Sequence, residues 1–600
     1  MGKRTGLSAL IAFTLVYHLL FFRHAMPVQE GWFQLFGGKI LNGQVPYKDF
    51  YSFLQPVYLY VHAFLISLFG DGFIVGRIYG IFERILLLSS AYLLLTRFFE
   101  PKHVLIALVT SLMVYSSTTT DLILSYYQLC VAFALLSCYF ASFYIVDLFS
   151  RASLRLLFLG GIFGGLSFLT KQSTGLFVPF AIFIVIVLQA VKTRKLAGVT
   201  VYVLGGLLPI ALFMLFLHRH GAVADYFTQV FGGTSSKGSI SDILFSFFSR
   251  AFIPKYLIPF FLITALMVSL RTALVKLLPM RTESDGNLSR LEMFAVFAAF
   301  CLAPVLLYIG IDLWSGLYSA WHIRDWFYEV KLQIVFYTFF FIICYFFYYA
   351  GRMVFVYEYD RIVVFKALVS AVGLAVMYAH GLSFTIEEHS VIPSMVIMLV
   401  FLFSMDYPFV RIKNIVLYSL CFLIILFSAA QKFQWVYSWW GWEEGSVAAS
   451  NERCSVPKLE GFLLSPEENR IYKSIYDIVT GNTTEKDPIY VFPHMALLYV
   501  LTERGYSTRN FLHYFDVCPD KAAEDDAEVL SENPPKVIVY MDFPEDAWKI
   551  HEVYFRGGKR SGQRKIDETV KKMTARDYIL ADSFLTPGYG YPLNVWVRKN

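Results

Sequence analysis

The sequence predicts an α-helical polytopic membrane protein, with about thirteen transmembrane helices and a C-terminal extracytoplasmic α/β domain. Three observations predict it. Of 600 residues, 57% are hydrophobic and only 16% charged, where soluble domains average roughly 45–50% and 25%. Apolar runs of membrane-crossing length recur along the first 430 residues. Lys and Arg collect in every second loop between those runs. The mean hydropathy of +0.56 points the same way.

The expected runs are 7–22, 74–96, 103–117, 126–149, 156–170, 175–191, 197–217, 251–270, 291–311, 332–350, 362–379, 391–405 and 414–430. The stretch 53–70 is short and carries Gln55, Pro56 and His62, so it is placed at the interface as part of the first outer loop. Lys3-Arg4, Arg97/Lys102, Arg151/Arg155, Lys192/Arg194/Lys195, Arg271/Lys276/Arg281/Arg290, Arg352/Arg361 and Arg411/Lys413 then share the inner side. An odd number of crossings puts the 23–72 loop and the C-terminus outside. No small-residue cleavage site follows the run 7–22, so it is expected to be a retained helix rather than a signal peptide. The net charge of +6 reads as the inner loops' excess, and no basic stripe points to nucleic acid.

The chain divides at about 430 into a membrane part, 1–430, and a tail, 431–600. Within the tail, Ser465-Pro466-Glu467-Glu468 is a helix start, with Ile471, Ile475 and Ile478 following at helical spacing. Residues 488–492 and 536–540 read as buried strands, so helix and strand alternate. Five of seven cysteines lie in apolar runs; Cys454 and Cys518 lie in the tail, and their pairing stays open. Gly37-Gly38, Gly160-Gly161 and Gly164-Gly165 lack the strand-turn-helix setting of a nucleotide loop and are expected as helix-packing contacts.

Chemistry is expected in residues 23–56, a polar, aromatic and irregular stretch between apolar ones. Glu30 lies in Gln29-Glu30-Gly31-Trp32, and Asp49 in Pro46-Tyr47-Lys48-Asp49-Phe50. A loop acid is usually only solvated. Beside Trp32, Tyr47 and Phe50, which can stack on sugars, such a carboxylate could instead accept a proton or bind a divalent cation. Lys171-Gln172 follows an apolar helix on the outside, either snorkelling to the interface or holding an anion. Glu83 is expected to pair with an Arg inside the second helix, with Arg77 nearer the surface. The loop 312–331 holds Trp314, Trp321, His322, Arg324 and Trp326, an aromatic belt that could also line a groove. Gly-rich 232–238 could be mobile over the site. His380, Glu387, Glu388 and His389 could mimic a metal cluster. Asn482-Thr483-Thr484 matches a glycosylation pattern.

These motifs resemble the type C (GT-C) glycosyltransferase superfamily: Glu30, Gly43-Gln44-Val45-Pro46-Tyr47-Lys48-Asp49-Phe50, Gln55-Pro56, Leu68-Phe69-Gly70 and Arg77. The similarity of motif covers 28–80 and, less closely, 166–175. Gln29 stands where many relatives carry a second acid. The resemblance implies an inverting transfer from a polyprenyl-phosphate-linked sugar to a glycan, lipid or protein acceptor, in a bacterial inner membrane. It implies Asp49 and Glu30 as catalytic residues. Lys171, Arg77, Arg324, Tyr47, Trp32, Gln172 and His322 would bind substrate, with a divalent cation as an open requirement. A transporter or flippase is the rival reading, but it would place acids or broken helices at the bilayer midplane. A membrane assembly protein whose tail binds a partner is a third.

Overall fold

The computed structural model describes residues 1–24, 30–118, 125–147, 151–232, 323–356, 360–383, 389–405, 410–439, 441–514 and 518–599, with scattered residues between 244 and 269. The membrane part contains α1 (Lys3–Phe21), α2 (Trp32–Leu41), α3 (Pro56–Phe69), α4 (Phe73–Leu95), α5 (Pro101–Thr118), α6 (Tyr126–Asp147) and α7 (Arg151–Phe168). It continues with α8 (Gln172–Thr193), α9 (Ala197–His220), α10 (Val223–Gly232), α11 (Ile323–Phe355), α12 (Arg361–Gly381), α13 (Val391–Ser404) and α14 (Val410–Gln434). Among the described residues, eight helices are long and apolar enough to cross a membrane, and Pro56–Phe69, Ser153–Phe168 and Val391–Ser404 are shorter apolar helices. The run 251–270 is only partly described; the run 291–311 and the 232–238 loop beyond Gly232 lie outside the described residues.

One expectation needs correcting. The loop after α1 is not irregular throughout, because Trp32–Leu41 is a helix. Its buried face, Trp32, Phe33 and Phe36, packs under the tail and against α3: Phe36 lies 5.1 Å from Phe511, and Phe33 lies 4.6 Å from Tyr58.

The paired glycines of α7 are packing contacts. A Cβ at Gly161 would meet Tyr202 O at 2.3 Å, and one at Gly165 would meet Gly206 O at 2.3 Å. Two backbones touch there, which only small residues allow.

In the tail, α15 (Pro466–Asn482) begins with the expected capping box: Ser465 N donates to Glu468 Oε2 at 3.0 Å, and Glu468 N donates to Ser465 Oγ at 3.3 Å. A four-stranded sheet follows. Its strands are β5 (Tyr490–Phe492), β6 (Val537–Met541), β7 (Tyr578–Leu585) and β8 (Pro592–Arg598); earlier in the tail, β1 (Tyr437–Trp439) pairs with β2 (Trp442–Glu444) and β3 (Glu452–Arg453) with β4 (Leu463–Leu464). The order is β5-β6-β8-β7, with β5 parallel to β6 and β8 antiparallel to both neighbours. Cys454 and Cys518 are both free thiols.

The tail rests on the first loop. Leu463 N donates to Arg23 O at 2.8 Å, and Trp32 Nε1 donates to His494 O at 3.4 Å. Lys458 bridges Asp71 at 3.0 Å and Glu503 at 2.9 Å. Gly31 makes the closest approach: at φ +108°, its missing Cβ would sit 2.9 Å from the Leu497 backbone.

Candidate active site

The two loop carboxylates have opposite settings. Glu30 is 1% exposed and faces Arg77, which is fully buried. Arg77 Nη2 lies 2.7 Å from Glu30 Oε1, and Nε lies 3.3 Å from Oε2, a two-pronged ion pair. Arg77 Nη1 also donates to the carbonyls of Phe22 at 3.1 Å and His24 at 3.3 Å. Phe462 of the tail covers the guanidinium at 5.1 Å. Arg77 is therefore not nearer the surface, as the sequence suggested. It anchors the chain on both sides of residues 25–29. Glu83, expected in an ion pair within α4, accepts from Ser125 N at 2.9 Å.

Asp49 is exposed. It closes its own turn, accepting from Val45 N at 2.7 Å while Asp49 N donates to Val45 O at 2.9 Å. Tyr47, at φ 72°, is the strained residue of that turn. Burial pushes its phenol well above the ordinary range, so it stays a neutral donor, to Leu54 O at 2.7 Å. Helix α10 pins the turn: Gln229 Nε2 donates to Tyr47 O at 2.6 Å and Gln229 Oε1 accepts from Ser52 N at 2.9 Å. Tyr47 is thus a buried support for the Asp49 turn. Trp32 is likewise mostly covered, edge-on to Phe53 at 6.2 Å.

Beyond the turn, Val57 N donates to Leu169 O at 3.0 Å. This joins the loop's end to the start of α8, where Lys171 is the capping residue and Gln172 the first helical one. Lys171 is 6% exposed. Its ammonium donates to Ser173 Oγ at 2.7 Å and Ser383 Oγ at 3.1 Å, and lies 5.0 Å from the Tyr127 ring. Tyr127 stacks on His389 at 4.1 Å, and Gln128 Nε2 meets His389 Nδ1 at 3.1 Å. Arg84 lies over Tyr115 at 4.4 Å, and Lys331 Nζ donates to Tyr115 O at 3.4 Å. Three buried cations, Arg84, Lys171 and Lys331, therefore lie within electrostatic reach of His389.

Sequence reasoning singled out Lys171 and His389 but missed that Arg84 and Lys331 join them. The signal available for Arg84 was its cost, because an ionisable residue inside an apolar run needs a reason to be there; Lys331 stands just before the run 332–350 and carried no such signal. Arg324 falls in the first turn of α11, and His322 lies outside the described residues. His380 and His389 lie with ring centres 5.7 Å apart, while Glu387 and Glu388 lie outside the described residues. Among the described residues no group of three or more His, Cys, Asp or Glu could hold a metal ion.

Residues 54–218 match the family model of dolichyl-phosphate-mannose-protein mannosyltransferase. That stretch contains Arg77, Arg84, Tyr127 and Lys171, and the similarity is to a family of GT-C glycosyltransferases. Among solved structures, ArnT from Cupriavidus metallidurans bound to undecaprenyl phosphate is 13% identical, with a TM-score of 0.42 over 98% of this chain and 97% of that one. The Archaeoglobus fulgidus oligosaccharyltransferase in complex with zinc and sulfate is 11% identical, with a TM-score of 0.41 over 94% of this chain and 68% of that one. No curated protein sequence matches.

Proposed function

We propose that this chain is an inverting glycosyltransferase of the GT-C type. It moves a sugar from a polyprenyl-phosphate donor to a lipid, glycan or protein acceptor at the outer face of a bacterial inner membrane. The Lys/Arg alternation supports that sidedness, with residues 431–600 as the outer domain.

The observation that carries the reading is the buried cation group at Lys171, Arg84 and Lys331, joined to the Asp49 loop through Val57 and Leu169. In this reaction the acceptor oxygen attacks the anomeric carbon as the bond from that carbon to the phosphate oxygen breaks behind it. The electron pair stays on the lipid phosphate. Fixed cations at the phosphate stabilise that growing charge more than the ground state. Lys171 is held for this by two hydroxyls rather than by solvent.

The acceptor's proton passes to a carboxylate. We assign it to Asp49, the exposed acid of the loop. Glu30 is a positioning residue, because Arg77 already engages both of its oxygens.

Purified full-length protein with a synthetic polyprenyl-phosphate sugar tests the reading. Lys171→Met is expected to lower kcat and weaken donor use, leaving the acceptor KM unchanged. Lys171→Arg is expected to keep part of the activity. Wild-type turnover in the Met variant would remove Lys171 from the donor site.

A further inference from the structure

A second group of cations lies at the other end of the helices. α1 starts at Lys3, and its far end reaches the tail through Arg23 and Leu463. At 19 residues the helix is about 28 Å long, so Lys3 and the Glu30 loop lie on opposite faces. A cavity of about 380 Å³ opens at the Lys3 end. It lies among the start of α1, the end of α4, the last turns of α6 and the start of α12. Lys3, Arg97 and Arg361 line it, and no Asp or Glu is among its described lining residues.

Two of these cations are built in. Arg97 Cζ lies over the Phe143 ring, 3.8 Å from its centre, and Nη1 donates to Ser142 Oγ at 2.5 Å. Arg361 Nε donates to Val146 O at 3.3 Å. Lys3 is exposed at the rim, where its own carbonyl accepts from the Tyr92 hydroxyl at 3.0 Å. A guanidinium already held by a ring and a hydroxyl is pre-ordered, so little rotamer freedom is lost when it meets a phosphate.

One wall is apolar and leads outward. Leu93 lines the cavity and is 37% exposed. Leu86, Phe82 and Ile78 continue from it along the same face of α4, and all are exposed. A soluble anion has no use for such a track. A phospholipid does, because its acyl chains can follow the stripe while its headgroup fills the basic cavity. Basic pockets between transmembrane helices on the cytoplasmic side suit anionic headgroups, and all three cations belong to the loops that the charge alternation assigns to that side.

We propose that this cavity is a binding site for the phosphodiester headgroup of an anionic phospholipid of the inner leaflet, seated on Lys3, Arg97 and Arg361. The site is separate from the proposed donor site and does not depend on it.

Native mass spectrometry of the purified full chain tests this, using micelles containing equal phosphatidylglycerol and phosphatidylcholine. One phosphatidylglycerol adduct is expected to survive removal of the detergent, in preference to phosphatidylcholine. Lys3→Gln/Arg361→Gln changes only exposed side chains, so folding is not at stake. It is expected to weaken that adduct about 30-fold, the size expected for removing two cations beside an anionic headgroup. Arg97→Gln is expected to act in the same direction. Excess inorganic phosphate should leave the adduct in place. An unchanged adduct in the double variant overturns the proposal. So does displacement by inorganic phosphate, which would make the cavity a site for a soluble anion.

Discussion

Cutting the Glu30–Arg77 pair should damage folding before it damages chemistry. Both side chains are at most 1% exposed, and two contacts of 2.7 and 3.3 Å join them. Removing one partner of such a pair leaves a charge buried without its counter-charge, which typically costs roughly 3–5 kcal/mol. Glu30→Gln retains one acceptor oxygen, so it should fall at the lower end of that range. Arg77→Met also strips the donor from the Phe22 and His24 carbonyls, so it should fall at the upper end. The double variant leaves no buried charge at the site. It should therefore be less destabilised than the sum of the singles, by roughly 1–3 kcal/mol. Unfolding by SDS titration in mixed micelles, followed by tryptophan fluorescence, measures all three. A Glu30→Gln protein that unfolds at the wild-type SDS fraction would refute the reasoning. If that protein were also inactive, Glu30 would take over the proton-accepting role assigned to Asp49.

Asp49→Asn should separate cleanly from this behaviour: stability stays within about 0.5 kcal/mol for an exposed side chain, while turnover falls roughly 10²–10⁴-fold; equal turnover would exclude Asp49 as the base. Gly31→Ala places a methyl 2.9 Å from the Leu497 backbone, at a φ of +108°, so the tail should become cleavable by a protease in its links to the first loop, and unchanged protection would show that the contact is slack. Glu468 gives a pH test. Burial pushes its carboxyl up to about 7, so the folded tail binds more protons than the unfolded chain between the ordinary glutamate range and pH 7. This group's contribution therefore favours folding at the acid end of that window and is lost as pH rises through 7. Glu468→Gln should flatten the dependence of tail unfolding on pH across that window, and a slope equal to wild type would exclude Glu468 as its source.

Much of the fold was legible because its signals are local. Apolar run length marks the helices, and the Ser465–Glu468 capping box reads directly from four residues. The strands 488–492 and 536–540 are short runs of β-branched and aromatic residues, and β5 and β6 lie there. Helix α2 was not legible, since Gly37-Gly38 interrupts its ten residues and glycine weakens a helix by about 1 kcal/mol. Contacts with Phe511 and Tyr58 stabilise what propensity does not. The site failed to show for a related reason. Glu83-Arg84 offered a nearby partner for every charge on α4, whereas Arg77 meets Glu30 across 47 positions of chain. Pattern reads neighbours, and a buried ion pair is decided by packing.

Helix α4 shows how these pieces could act as one site. Arg77 and Arg84 are seven residues apart, which is two helical turns and about 10.5 Å, on one face. The upper arginine fixes Glu30 beneath the tail; the lower one joins Lys171 and Lys331 around His389. Phe33, Tyr58, Tyr126 and Tyr127 form a row of rings, each within 5.7 Å of the next. The last of these touches both Lys171 and His389. In the proposed reaction, a sugar held between the Asp49 carboxylate and the donor phosphate needs such a wall, since aromatic faces stack on sugar rings and exclude water. Because α4 is a single unbroken helix from Phe73 to Leu95, it holds the two arginines at a fixed spacing. The tail, which covers Arg77 through Phe462, then bears on the same rigid element that carries a cation of the proposed donor site.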